Sequence, residues 1–161
     1  MDLEPLLTYS TNAQTRLYEF LLQHPESIEK EFDTIAQFKT IRRQLAHVTG
    51  AEQRWTTRIV GTYPPATRYE DIAPKDIQSI YNDWKSLRAE THSALATCTD
   101  LNRVLEIKLG TGEPPFPLTI EQILIHVVNH ENFHRGQCSM MLQLQHIDPP
   151  YFDFIFEYMG R

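Results

Sequence analysis

Residues 119–137 read Thr-Ile-Glu-Gln-Ile-Leu-Ile-His-Val-Val-Asn-His-Glu-Asn-Phe-His-Arg-Gly-Gln, and this stretch decides the fold class. Thr119, with Gln122 three residues on, forms a capping box that starts a helix. Asp148-Pro149-Pro150 ends it, because proline disfavours helix in the residue before it, so the helix is expected to run to about His146. His126, His130 and His134 stand four apart and share one face. At roughly 100° per residue, His134 lies about 40° to one side of His130 and His126 about 40° to the other. Ile123, Val127 and Met141 fall on the same face, so the imidazoles are expected to look into a core. Neutral imidazoles there need partners, and one cation satisfies several of them.

The letters His130-Glu131-Asn132-Phe133-His134 also spell the zinc-protease motif, in which the glutamate is the general base. The surroundings argue against that reading. The extended motif wants a glycine and then a histidine where Gln137 and Met140 stand. Little β-structure is visible to hold a substrate strand.

Outward from this helix, the chain reads as further long helices with proline-bearing breaks. Ser10 or Thr11 is expected to cap a first helix carrying Leu17, Phe20 and Leu21, closed by His24-Pro25. A second is expected over residues 38–60, with Ile41, Leu45, Val48, Trp55 and Ile59 on one side. A third is expected to begin near Pro74 and to carry Ile77, Ile80, Tyr81, Trp84, Leu87 and Leu95. His24 and His92 read as surface or helix-end residues. Val104–Leu109 alternates as a short strand, and Gly110-Thr111-Gly112 reads as a turn. The tail Tyr151–Phe156 is too aromatic to stay in water and is expected to pack on the bundle or on a partner chain. Four long helices in 161 residues predict an all-α, four-helix bundle forming one domain over residues 1–161.

Such bundles build metal sites from inward side chains on different helices. The last helix offers His130 and His134, and a catalytic site wants at least three protein ligands and an open position. His47 is the best third candidate, at the edge of its helix's apolar side. His126 then serves as a supporting group or a substrate contact, since two helices cannot easily bring four histidines to one ion. Glu52 and Asn129 are candidates to orient a histidine through its second ring nitrogen. Gly136 is expected to permit close helix approach, and Arg135 to pair with a carboxylate across the bundle or a dimer.

Composition narrows the function. Hydrophobic residues make up 41% and the formal net charge is −6. Nucleic-acid binding needs a basic stripe, which is missing. No stretch approaches 18 apolar residues, so no membrane span is expected. Two well-separated cysteines, Cys98 and Cys138, make no disulfide framework. Cys138 reads as a buried, inert thiol. The start Met-Asp-Leu-Glu-Pro has no signal-peptide pattern, so a cytoplasmic location is expected.

Leu45-Ala46-His47-Val48-Thr49-Gly50-Ala51-Glu52-Gln53-Arg54-Trp55, taken with His126-Val127-Val128-Asn129-His130 and His134-Arg135-Gly136-Gln137, resembles the DinB family (DinB/YfiT-like metalloenzymes). Asn12-Ala13, Trp84 with Arg88, and Asp153–Phe156 fit the same pattern. The resemblance implies a four-helix bundle with a divalent ion, zinc, nickel or iron, held by His47, His130 and His134. It also implies a homodimer and a small-molecule substrate. Related bundles include thiol-dependent S-transferases and isomerases that use low-molecular-weight thiols. Phe133 stands where family members often carry a further histidine. The expected function is a metal-dependent hydrolase or thiol S-transferase, the alternative a non-catalytic metal-binding or stress-related interaction module. No catalytic residue beyond the ligands is assigned.

Overall fold

Four helices of 19 residues or more account for most of the chain in the computed structural model, which describes residues 2–33, 38–109, 112 and 114–155. They are α1 (Glu4–Gln23), α2 (Ile41–Ile59), α4 (Ile77–Thr97) and α5 (Ile120–Gln143), with a one-turn α3 (Tyr69–Ile72) between α2 and α4. Strands β1 (Val104–Ile107) and β2 (Phe116–Thr119) form an antiparallel pair before α5, Val104 opposite Thr119 and Ile107 opposite Phe116. The architecture is the expected helical bundle with a short β segment before the last helix.

Local chemistry explains most boundaries. Thr40 caps α2 by accepting from the Arg43 amide, and Asp76 caps α4 by accepting from Ser79. Thr119 and Gln122 form the reciprocal capping box of α5. Several boundaries differ from expectation: α2 starts at Ile41 rather than residue 38, and β1 ends at Ile107 rather than Leu109. α1 starts at Glu4, with Pro5 in its first turn, so Ser10 and Thr11 lie mid-helix and cap nothing. Pro74 precedes α4 rather than opening it, because the side chain able to accept the orphan amides is Asp76. α5 ends at Gln143, and His146 follows in the left-handed region at φ 60°. Of the expected turn 110–112, Gly112 has φ 91°, while Gly110 and Thr111 lie outside the described residues.

The core has two apolar ends and a polar middle. One end gathers Leu17, Tyr18, Leu45, Ile80, Trp84 and Met141, with Tyr18 stacked on Tyr81 at 4.7 Å between centroids. The other gathers Leu3, Ile59, Ala94, Ile107, Ile120 and Leu124, closed by the hairpin. α1 and α5 meet the first end with their C-terminal turns, and α2 and α4 with their N-terminal turns. So α1 and α5 run one way and α2 and α4 the other. Two successive parallel helices need a connection that returns along the whole bundle, about 28 Å for a 19-residue helix. Residues 60–76 make that return, and α3 lies against α2 on the way. Phe152 packs on the first apolar end, the Tyr9 hydroxyl donates to its carbonyl, and the Phe154 ring meets Tyr9 edge-on at 4.9 Å. Phe152 and Phe154 thus fold back on the bundle, whereas Tyr151 and Ile155 are mostly exposed, against expectation; Phe156 lies outside the described residues.

The polar middle is an ion network. Arg88 donates to both oxygens of Glu52 at 2.7 and 2.8 Å and to Glu131 at 2.9 Å. Ser10 and Trp84 also donate to Glu131, and Arg135 lies 3.7 Å from it. None of these four charged side chains is more than 2% exposed. Buried charges persist only when paired and hydrogen-bonded, and here two guanidiniums balance two carboxylates.

Candidate metal centre

α2 and α5 pack against each other in opposite directions, which sets His47 facing His130 and His134. One nitrogen of each ring lies within 4.8 Å of the others. His130 Nε2 stands 3.1 Å from His47 Nε2 and 3.2 Å from His134 Nε2. His134 is buried and the other two are partly exposed.

The hydrogen bonds behind the rings settle what those nitrogens carry. His47 Nδ1 is 2.8 Å from Glu70 Oε1, and a carboxylate only accepts. The Gln44 amide nitrogen donates to the Phe38 carbonyl at 2.8 Å, so its oxygen faces His134 Nδ1. Both Nδ1 atoms therefore donate. In neutral rings this leaves lone pairs on Nε2 of His47 and His134, both aimed at His130. One His130 proton can bridge only one of those gaps. A divalent cation would take all three lone pairs, and three neutral imidazoles suit borderline ions. The donor set fits a metal.

The electrostatics agree. Burial, then His134 and His47, push the His130 pKa down to about 3. Burial and His47 push His134 down to about 4. Both rings are held neutral, the form that ligates. Burial works to raise Glu70, but hydrogen bonds from His47 and Arg54 outweigh it and hold the carboxyl at about 2. Arg54 forks onto Glu70 at 3.1 and 3.2 Å. Phe38 stacks on the His47 ring at 4.2 Å. A cleft of about 270 Å³ lined by Phe38, Arg43, Ala46, Glu70 and Asp71 opens on this side of His47. A larger cavity of about 320 Å³, between Ile59 and Arg103, lies at the far end of the bundle, away from the histidines.

The model of the DinB family matches residues 3–159. The chain belongs to the DinB family. No curated protein matches it. Within this DinB bundle, His47 on α2 converges with His130 and His134, while His126, expected to look into the core, is exposed and stands apart. The His126 ring is 5.6 Å from His130 between centroids and 5.1 Å from Trp55, outside the group.

Several expectations for neighbouring residues are corrected. Glu52 orients no histidine, because Arg88 and Thr91 take its oxygens. Asn129 is exposed. The orienting partners are Glu70 and Gln44 instead. Arg135 pairs with Glu131, one turn back on its own helix, and reaches Gln14 on α1. Gly136 has open space around it among the described residues, so none of them makes the close approach expected there. The glycine that does is Gly50, where a Cβ would stand 2.5 Å from Glu70 Oε2 and 3.1 Å from Tyr69 Cβ. Glu131 faces the ion network, away from the imidazoles. Sequence reasoning missed Glu70 because it sits on a short segment between prolines with no periodicity. Gln44 could have been found, one turn before His47 on the same helix.

Proposed function

We propose that this DinB chain binds one divalent ion through Nε2 of His47, His130 and His134 and is a metal-dependent enzyme acting on a small molecule. The observation that carries the reading is the convergence of three Nε2 atoms, with His130 and His134 held neutral and the Nδ1 atoms of His47 and His134 already committed. Glu52 and Glu131, the nearest buried carboxylates in sequence, are engaged by arginines, and His126 stands off. Among the described residues, three ligands thus leave coordination positions for water or substrate, which supports catalysis over a purely structural role.

Held by His47, His130 and His134, such an ion would lower the pKa of a water or thiol ligand, the chemistry that hydrolysis or thiol-dependent transfer needs. Glu70 and Gln44 hold two rings in the ligating tautomer. Phe38 stacks on His47 and covers its face. Zinc, nickel and iron all suit imidazole ligands. We further propose a cytoplasmic homodimer. Phe133 and Met140 on one side of α5, and Leu144 just past its end, are each more than half exposed, which supports self-association. The two free cysteines fit a reducing compartment, and among the described residues no helix is long and apolar enough to cross a membrane.

Elemental analysis of purified protein, followed by zinc titration of the stripped form, tests the site. About one ion per chain is expected, lost on replacing His47, His130 and His134 with alanine. Unchanged metal content in that triple variant would remove the assignment. Turnover with added low-molecular-weight thiols, compared with turnover of hydrolysable esters and amides, separates the two reactions. Loaded protein inactive in both would favour the non-catalytic module.

A further inference from the structure

The three rings are not held alike. His134 Nδ1 donates to a neutral amide, Gln44. His130 Nδ1 has no partner among the described residues. His47 Nδ1 alone donates to a carboxylate, Glu70. Three features show that Glu70 is placed for this contact. Arg54 grips both of its oxygens from one side. Gly50 removes the Cβ that would otherwise meet Glu70 Oε2 at 2.5 Å. The returning connection is pinned next to it, where the Tyr69 hydroxyl donates to Asp83 at 2.7 Å. The side chain is only 12% exposed, so the carboxylate acts on the ring with little screening from water.

We propose that Glu70 is a positioning residue of the metal centre, delivered to His47 by the connection that returns past Gly50. The proposal rests on the three-histidine reading of the site. A carboxylate on Nδ1–H fixes the tautomer and ring orientation and makes Nε2 a stronger donor. His47 is then the strongest of the three ligands. Arg54 neutralises the added charge, so the pair strengthens the ligand without leaving an unbalanced carboxylate behind it. The alternative is that Glu70 merely ties the connection to Arg54. In that case its loss would loosen residues 60–76 but leave the ligand field as it was.

Cobalt(II) and zinc binding to the full chain separates the two. Glu70→Gln keeps length and a hydrogen-bonding head but removes the charge. Gly50→Ala leaves Glu70 intact and displaces it. Both variants are expected to bind zinc about tenfold more weakly or worse, within the range seen on loss of such partners. Both are expected to shift the visible bands of the cobalt form. Tyr69→Phe, which removes one pin of the connection but leaves Arg54 and Gly50 to hold Glu70, is expected to weaken binding and shift the bands less than either. Should Glu70→Gln fail to fold, Gly50→Ala decides. Wild-type affinity and spectrum in the Glu70 and Gly50 variants, with binding lost in His130→Ala, would overturn the proposal and leave the triad standing. Wild-type binding in His130→Ala as well would overturn the triad, and the proposal with it.

Discussion

Replacing Glu131 with glutamine tests the division of labour between the two faces of α5. Glu131 is the glutamate of the His-Glu-x-x-His letters, yet it is 1% exposed and faces Arg88, Arg135, Ser10 and Trp84. Glutamine keeps the volume and one acceptor oxygen, so the packing survives. It removes one of two negative charges that balance two buried guanidiniums. Breaking a buried pair by removing one partner costs about 3–5 kcal/mol, and the retained acceptor places this variant near the low end, about 3 kcal/mol. For a chain of this size that is a drop in melting temperature of about 6–12 °C. Urea unfolding of the metal-free protein at neutral pH, followed by circular dichroism, measures it. Zinc affinity of the folded variant is expected to match wild type, because Glu131 touches no imidazole. A loss under about 1 kcal/mol would refute the assignment of Glu131 to the ion network. Intact stability with abolished turnover would return it to the role of general base.

Further outcomes follow from other residues. Gly136→Ala is expected to stabilise the protein by about 0.5–1 kcal/mol, since alanine is the better helix former and nothing stands near the new Cβ; thermal melting checks it, and destabilisation would mean that another chain packs there. Only one of the two thiols is expected to react with a disulfide reagent under native conditions, and both in denaturant. Cys98 is half-buried, whereas Cys138 is fully buried and burial pushes its thiol up to about 12; equal native rates would contradict this packing. The metal-free protein is expected to lose stability as pH falls from about 6.5 toward 4. His130 and His134 are held at about 3 and about 4 when folded, against about 6.5 when unfolded, so the unfolded chain takes up the protons first. Urea midpoints across that range check the sign, and the fall should be smaller in His130→Asn.

Much of this architecture was legible from local pattern. Capping at Thr119, the 3.6-residue periodicity of α2, α4 and α5, and proline breaks are short-range signals, and they led to the helical bundle. The His130/His134 pair followed from spacing, and His47 from its place at the edge of an apolar face. The start of α1 was misread because Ser10 looks like a cap. Its hydroxyl instead donates to a carboxylate 121 residues away, a partner no local window contains. Gly136 was misread for the same reason, since a helical glycine signals close approach only when something approaches.

The chain by itself determined which faces are apolar and where helices begin and end, because those depend on neighbours within a few residues. It also determined that His130 and His134 share one face of α5. Tertiary structure decided the rest. Two parallel helices in succession force a return connection, and only that path brings Glu70 beside Gly50 and onto His47. Only packing of α1, α2 and α4 on α5 turns Glu131 from a motif letter into a buried counter-ion. Both outcomes depend on chain direction and on contacts between distant segments, and residue spacing along one helix carries neither.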